Sequence, residues 1–218
     1  MLYIVYYIQP LAALKEYKKM ETRFINKSPD NKRFCNYFVA TKIFNNEEIE
    51  KIKSIGNNLI ANNAITLGGH SNDSIRRGSV AWLPRTDVSN DWVYSRLAEI
   101  IKRANGELWD FNIAGFWEDC QYTIYKGSKK NPDHYGYHLD IDGKAGIQRK
   151  ISIVVQLTDP SEYEGGDLEI LTTENPFWAA KEKGSCILFP SFCLHKVHPV
   201  TKGLRNSLVL WVSGPPFE

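Results

Sequence analysis

Four side chains in the second half of this 218-residue chain could share one site. His138 and Asp140 stand two apart in "YHLD" (137–140). On a β-strand, residues two apart point to the same side, so an imidazole and a carboxylate can be aimed at one point. His195 lies in a distant β-rich run, and Arg205 stands at the mouth of another. Two histidines and one carboxylate occupy one face of an octahedral ion and leave the opposite face open. That arrangement suits non-haem Fe(II) and its oxygen chemistry. Arg205 adds a planar, permanently charged fork that matches a carboxylate. The HxD spacing alone also describes a polar edge strand. His198 competes with His195 for the third position, but the two are three apart and face opposite sides of a regular strand.

The elements that must hold these residues change character along the chain. Residues 15–34 are charged and poorly patterned, with a turn at Ser28-Pro29-Asp30. A helix is expected from Asn45 or Asn46, with Glu47 and Glu48 at its positive end and Ile49, Ile52 and Ile55 on its apolar face; Gly56 should stop it. "LGGHSNDSIRRGS" (67–79) reads as a loop that contains His70. A second helix follows Ser89, Asn90 or Asp91, with Trp92, Val93, Leu97, Ile100 and Ile101 as its stripe, and Asn105-Gly106 should end it. From residue 108 onward, short β-rich runs alternate with glycine turns: 121–125, 138–142, 150–158, 167–171, 185–189, 195–199 and 207–212. The expected fold is mainly β with flanking N-terminal helices (α+β), its strands forming a sandwich or barrel. Residues 1–34 are set apart as an extension. Residues 35–218 are taken as one domain, with helical support over 35–107 and a β core over 108–218.

One strand carries more detail. In 150–158, Ile151, Ile153, Val155 and Leu157 share a face fit for packing. Ser152, Val154, Gln156 and Thr158 share the other, which is small and polar enough to line a cavity or to face solvent.

Composition excludes several classes. The chain is 43% hydrophobic and 24% charged with a net charge of +2, an ordinary globular balance that argues for neither a nucleic-acid nor a membrane surface. The apolar start "MLYIVYYIQPLAAL" is broken by Pro10 and is shorter than the roughly 20 residues of a spanning helix. Cys35, Cys120, Cys186 and Cys193 form no CxxC pair, so buried free thiols in a reducing, cytoplasmic compartment are expected.

Beyond these readings, residues about 75–214 resemble the 2-oxoglutarate- and Fe(II)-dependent dioxygenases, in particular the branch of prolyl 4-hydroxylase-like and PKHD-type hydroxylases. The likeness is carried by "RRGSVAWLP" (76–84), "QYTIY" (121–125), "YHLD", "RKISIVVQLTDPSEYEGGDLEI" (149–170) and "FPSFCLHKVHPVTKGLRNSLVLW" (189–211). The resemblance implies a double-stranded β-helix, jelly-roll or cupin-like, with iron between two sheets. It implies His138, Asp140 and His195 as iron ligands, and Arg205, Tyr125 and Ser207 around 2-oxoglutarate. Arg205 stands where some prolyl hydroxylases have Lys. Gln156 stands near a position where relatives often have Tyr, and could also donate to the cosubstrate. The implied reaction uses O2 and converts 2-oxoglutarate to succinate and CO2 while hydroxylating a C–H bond, with a prolyl residue of a protein or peptide as the foremost substrate and ascorbate as an auxiliary. Hydroxylation of a free amino acid or small molecule, or a non-catalytic jelly-roll binding module, are the alternatives. Arg149, Trp211, Tyr137 and Arg77 are candidates for the substrate pocket, as are Arg76 and Tyr135. Glu162, Glu164, Asp167 and Glu169 read as a solvated acidic turn, and His134 as a loop residue.

Overall fold

The computed structural model describes residues 36–62, 75–141, 146–171 and 175–217. The expectations for the N-terminal extension, Cys35, His70 and Asp142 lie outside the described residues. Strand β1 (Phe38–Ala40) leads into helix α1 (Asn46–Asn62). The helix starts where Asn45 and Glu48 satisfy each other's backbone N–H groups, a reciprocal cap. It does not stop at Gly56. A Cβ there would lie 2.3 Å from the Tyr122 ring, so the glycine marks where the helix backbone presses on the sheet. The stretch expected to be loop up to residue 79 contains β2 (Arg76–Arg77) and leads into β3 (Ser79–Leu83). Helix α2 (Asp91–Ala104) likewise outlasts its expected stop, because Asn105–Trp109 adds a π turn before Asp110, at φ 54°, ends it.

The remaining strands are β4 (Cys120–Lys126), β5 (His134–His138), β6 (Gln148–Gln156), β7 (Tyr163–Gly165), β8 (Leu168–Leu171), β9 (Phe177–Trp178), β10 (Cys186–Pro190), β11 (Leu194–Val197) and β12 (Val200–Gly214). They form two antiparallel sheets. The larger runs β1-β10-β6-β12-β4-β3, with β7 paired to one end of β12; the smaller runs β2-β5-β11-β8-β9. This is the double-stranded β-helix expected from the sequence, with helices outside the larger sheet.

The two faces of β6 divide the core as its alternation predicts. Ile151, Ile153, Val155 and Leu157 pack with Ile49, Ile52, Leu97 and Ile101 of the helices. Val154 on the other face joins Tyr125, Tyr163, Ile170, Phe189 and Val197 between the sheets. Thr158, past the strand's end, turns to Asn206 instead. Cys120, Cys186 and Cys193 are free and buried, as expected. No helix among the described residues is long and apolar enough to cross a membrane.

The helix–sheet contact gives a test with an inverted sign. In an exposed helix interior, Gly→Ala gains about 1 kcal/mol. Tyr122 is fully buried, and its hydroxyl is bonded to Asn57 and Asn206, so its ring has nowhere to go. Gly56→Ala should therefore destabilise the protein by about 1–3 kcal/mol, read as a lower urea midpoint. An unchanged or higher midpoint would refute the close approach.

Candidate metal centre

His138, Asp140 and His195 come together. Their potential ligand atoms all lie within 4.8 Å of one another. Asp140 Oδ1 is 3.6 Å from His138 Nε2, and Oδ2 is 3.4 Å from His195 Nε2. The cross-strand pairing of β5 with β11 places His138 directly opposite His195. Asp140 does not share a strand with His138, contrary to the sequence expectation. It lies just beyond the end of β5, where its backbone N–H donates to Ser191 O at 2.9 Å.

The ring nitrogens are already assigned. His138 Nδ1 lies 2.8 Å from Gly136 O, and His195 Nδ1 lies 3.0 Å from Cys193 O. A carbonyl only accepts, so each Nδ1 carries a proton and each Nε2 is turned to Asp140's side of the site. Burial, then the neighbouring His195, push His138 down to about 4, so it is neutral at pH 7. Burial alone would raise Asp140. The hydrogen bond and charge of His195, with His138 and Trp211, outweigh it and hold the carboxyl below the usual carboxylate range. A neutral His138 and an ionised Asp140 are protonation states a divalent metal requires of its ligands.

Ser152, on the inner face of β6, donates to Asp140 Oδ2 at 2.8 Å. With that proton committed, Ser191 Oγ, 3.0 Å away, donates to Ser152. This hydroxyl chain fixes the carboxylate plane. The sequence had marked Ser152 only as part of a lining face.

A second charged group is buried nearby. Arg205 is 1% exposed. Its Nη2 donates to Gln156 Oε1 at 3.0 Å, while Nε and Nη1 have no partner. Tyr125 stands opposite Arg205 on the adjacent strand, and Ser207 pairs with both Gln156 and Thr123. The Tyr163 hydroxyl is buried and unpartnered, and the guanidinium acts on it. Gly166, at φ +64°, makes the space: a Cβ there would sit 2.8 Å from Arg205 Cδ. Tyr163 was not foreseen, although it lies in "YEGG", two residues ahead of the turn. A sealed guanidinium with two open donor positions, beside a phenol, is costly unless an anion joins it.

The pocket candidates divide. Arg149 stands at the rim, its guanidinium 3.9 Å from the Trp211 ring, ion-paired to Glu118 and donating to Asp140 O at 3.4 Å. Trp211 is buried beside Asp140; it lies six residues after Arg205 on β12 and so on the same side of the strand. Tyr137 turns to the outer face of the smaller sheet, where its hydroxyl donates to Glu169 at 2.5 Å. Tyr135 faces the site instead, stacked on His138 at 3.5 Å. Between His195 and Val197 the partner strand advances from His138 to Tyr135, a β-bulge that breaks the alternation and turns Tyr135 inward. Arg77 pairs with Asp133 at 3.3 Å. His134 is in β5, not in a loop, with Nδ1 on Pro132 O. His198 faces outward, as expected, 2.6 Å from Glu169. Glu169 itself is no solvated turn residue. It is 4% exposed and also paired with Lys196.

Residues 120–213 match the model of the 2OG-Fe(II) oxygenase superfamily. A PKHD-type hydroxylase of Aliarcobacter butzleri is 37% identical over 89 residues, 38% of this chain and 39% of that protein. A PKHD-type hydroxylase of Alteromonas mediterranea is 42% identical over 84 residues, 36% of this chain and 37% of its own length. The matched stretch thus spans about two fifths of those relatives. The fold extends further. A Pseudomonas putida prolyl-4-hydroxylase superposes with a TM-score of 0.65 at 17% identity, over 83% of this chain and 94% of that one. A Trichoplax adhaerens prolyl hydroxylase, solved with a peptide of hypoxia inducible factor, gives 0.67 at 20% identity, over 81% and 83%. In sequence over its β-rich half, and in fold over most of its length, this chain is similar to the 2OG-Fe(II) oxygenases, with PKHD-type hydroxylases among its relatives and prolyl hydroxylases among its structural neighbours.

Proposed function

We propose that this protein is an Fe(II)- and 2-oxoglutarate-dependent dioxygenase that hydroxylates a C–H bond, foremost that of a prolyl residue in a protein or peptide. The observation that carries the reading is the presence of two unsatisfied sites on either side of Tyr125: the converging His138–Asp140–His195 set and a sealed Arg205 whose Nε and Nη1 have no partner among the described residues. A non-catalytic jelly roll has no use for either.

The donor set fits Fe(II). Nε2 of His138, a carboxylate oxygen of Asp140 and Nε2 of His195 would hold it, leaving room for cosubstrate and O2. Arg205, with the Tyr163 hydroxyl and the Gln156 amide, would take the distal carboxylate of 2-oxoglutarate; Tyr125 and Ser207 line the same end. When bound, iron, O2 and 2-oxoglutarate supply the oxidising power: one oxygen atom enters the substrate C–H bond, the other enters succinate, and CO2 leaves. The chain's own residues do the rest. Ser152 keeps the Asp140 carboxylate from rotating. The carbonyls of Gly136 and Cys193 hold the ring tautomers. Trp211 and the aromatic residues around Tyr135 exclude water from the cavity wall. The prolyl substrate is supported by the named activities of the structural neighbours, and ascorbate would serve to keep the iron reduced. The free buried thiols fit a cytoplasmic setting.

Anaerobic protein given Fe(II) and 2-oxoglutarate should develop a weak visible charge-transfer band. His138→Ala should abolish it by removing the metal. Arg205→Ala should weaken 2-oxoglutarate binding by about 100-fold while iron affinity changes far less. No band in the wild type would sink the reading.

Ser152→Ala should lower metal affinity about 10–100-fold and also lower the unfolding midpoint of the metal-free protein, since it leaves a buried carboxylate short of a donor, and Ser152→Thr, which keeps the hydroxyl, should restore the affinity. Affinity unchanged in the alanine variant would remove Ser152 from the positioning role.

A further inference from the structure

Arg76 is a third guanidinium near this site, after Arg205 and Arg149, and the proposed cofactors leave it nothing to bind. It lies on β2 directly opposite Tyr135 of β5. Its guanidinium stands 4.4 Å from the Tyr135 ring centroid, and the same ring stacks on His138 at 3.5 Å. A stacked imidazole and a guanidinium carbon this close cannot share one ring face, so Tyr135 lies between the two. Arg76 is therefore one ring's thickness beyond an iron ligand. The chain then passes Gly78, where a Cβ would be 3.3 Å from the Tyr125 ring, which keeps Arg76 beside the inner face of β4. Its charge acts on Tyr125, Tyr135 and His138 alike. Nη2 is sealed from solvent and has no hydrogen-bond partner.

The neighbouring basic groups are accounted for. Arg77 is paired with Asp133 and Arg149 with Glu118. No carboxylate among the described residues pairs with Arg76. With Fe(II) and 2-oxoglutarate bound, the charges of the metal, Asp140, Arg205 and the dicarboxylate cancel. One carboxylate of the cosubstrate would be on the metal and the other on Arg205, so among the described residues Arg76 would remain as an uncompensated positive charge. We infer that Arg76 receives a carboxylate of the primary substrate, a group within a few bonds of the carbon that is oxidised. The substrate class is thereby a free amino acid, a chain-terminal residue, or a residue beside an acidic side chain, and not a neutral internal stretch of peptide. This rests on the iron and 2-oxoglutarate reading above.

The test uses free L-amino acids and N-acetyl-prolyl dipeptides, each as acid and as carboxamide, with 2-oxoglutarate turnover as the readout. Acids should stimulate turnover at least about tenfold more than their carboxamides. Arg76→Gln should raise KM for the best acid at least about tenfold, while 2-oxoglutarate affinity, read from the anaerobic band, stays within about twofold. Arg76→Lys should keep much of the acid preference, showing that charge and not the stack on Tyr135 is what matters. Equal response to acid and amide, no response to any acid, or a shift in 2-oxoglutarate affinity instead would overturn the inference. A wild type with no charge-transfer band would fault the parent reading and not Arg76.

Discussion

Asp140 must stay ionised where almost no water reaches it. An isolated carboxylate so placed would take up a proton, because the interior cannot solvate the charge. What prevents this is the pair of imidazoles at 3.4 and 3.6 Å and the Ser152 hydroxyl at 2.8 Å. Much of the fold follows from holding these groups still. The two histidines must face each other, so β5 and β11 pair in a register that puts His138 opposite His195. Ser152 must look inward, so the apolar alternate residues of β6 look outward and need the helices to cover them.

The parts of this that could be read from the chain are those that obey a period. The alternation of β6 separated the residues that pack on the helices from those that face the other sheet. Where the period breaks, side assignment breaks with it. The bulge in β5 carries no local signature beyond Gly136, yet it separates Tyr135 from Tyr137, turning the first to the side of His138 and leaving the second outside. Asp140 reaches the site for a reason other than the one that singled it out: the strand ends at His138, and a backbone bond to Ser191 brings the carboxylate round.

Glycine and acidic residues misled for a related reason. Gly56 was read by its propensity, which concerns the helix alone, whereas the sheet face beneath it decides its place. Glu169 was read with its acidic neighbours, but on β8 it lies under Tyr137, Lys196 and His198 from two other segments. Tyr163 became significant only once β7 was seen to pair with β12 beside Arg205. Each is a long-range contact, and no short window of sequence contains it.

The division of the chain also separates chemistry from choice of substrate. The groups that would hold metal and cosubstrate come from β4 to β12, and this is the stretch, 120–213, over which the superfamily model matches. Arg76 and Trp82 come from β2 and β3, which are edge strands outside that stretch. Trp82 reaches Trp211 at 6.3 Å, and Arg76 reaches His138 through Tyr135, so the edges touch the site by one side chain each. A central strand is fixed by partners on both sides, whereas an edge strand is constrained on one side only. Residues there are held by fewer neighbours than the triad is, and a charge without a carboxylate partner among the described residues is informative on such an edge, because a stack on Tyr135 alone needs no charge.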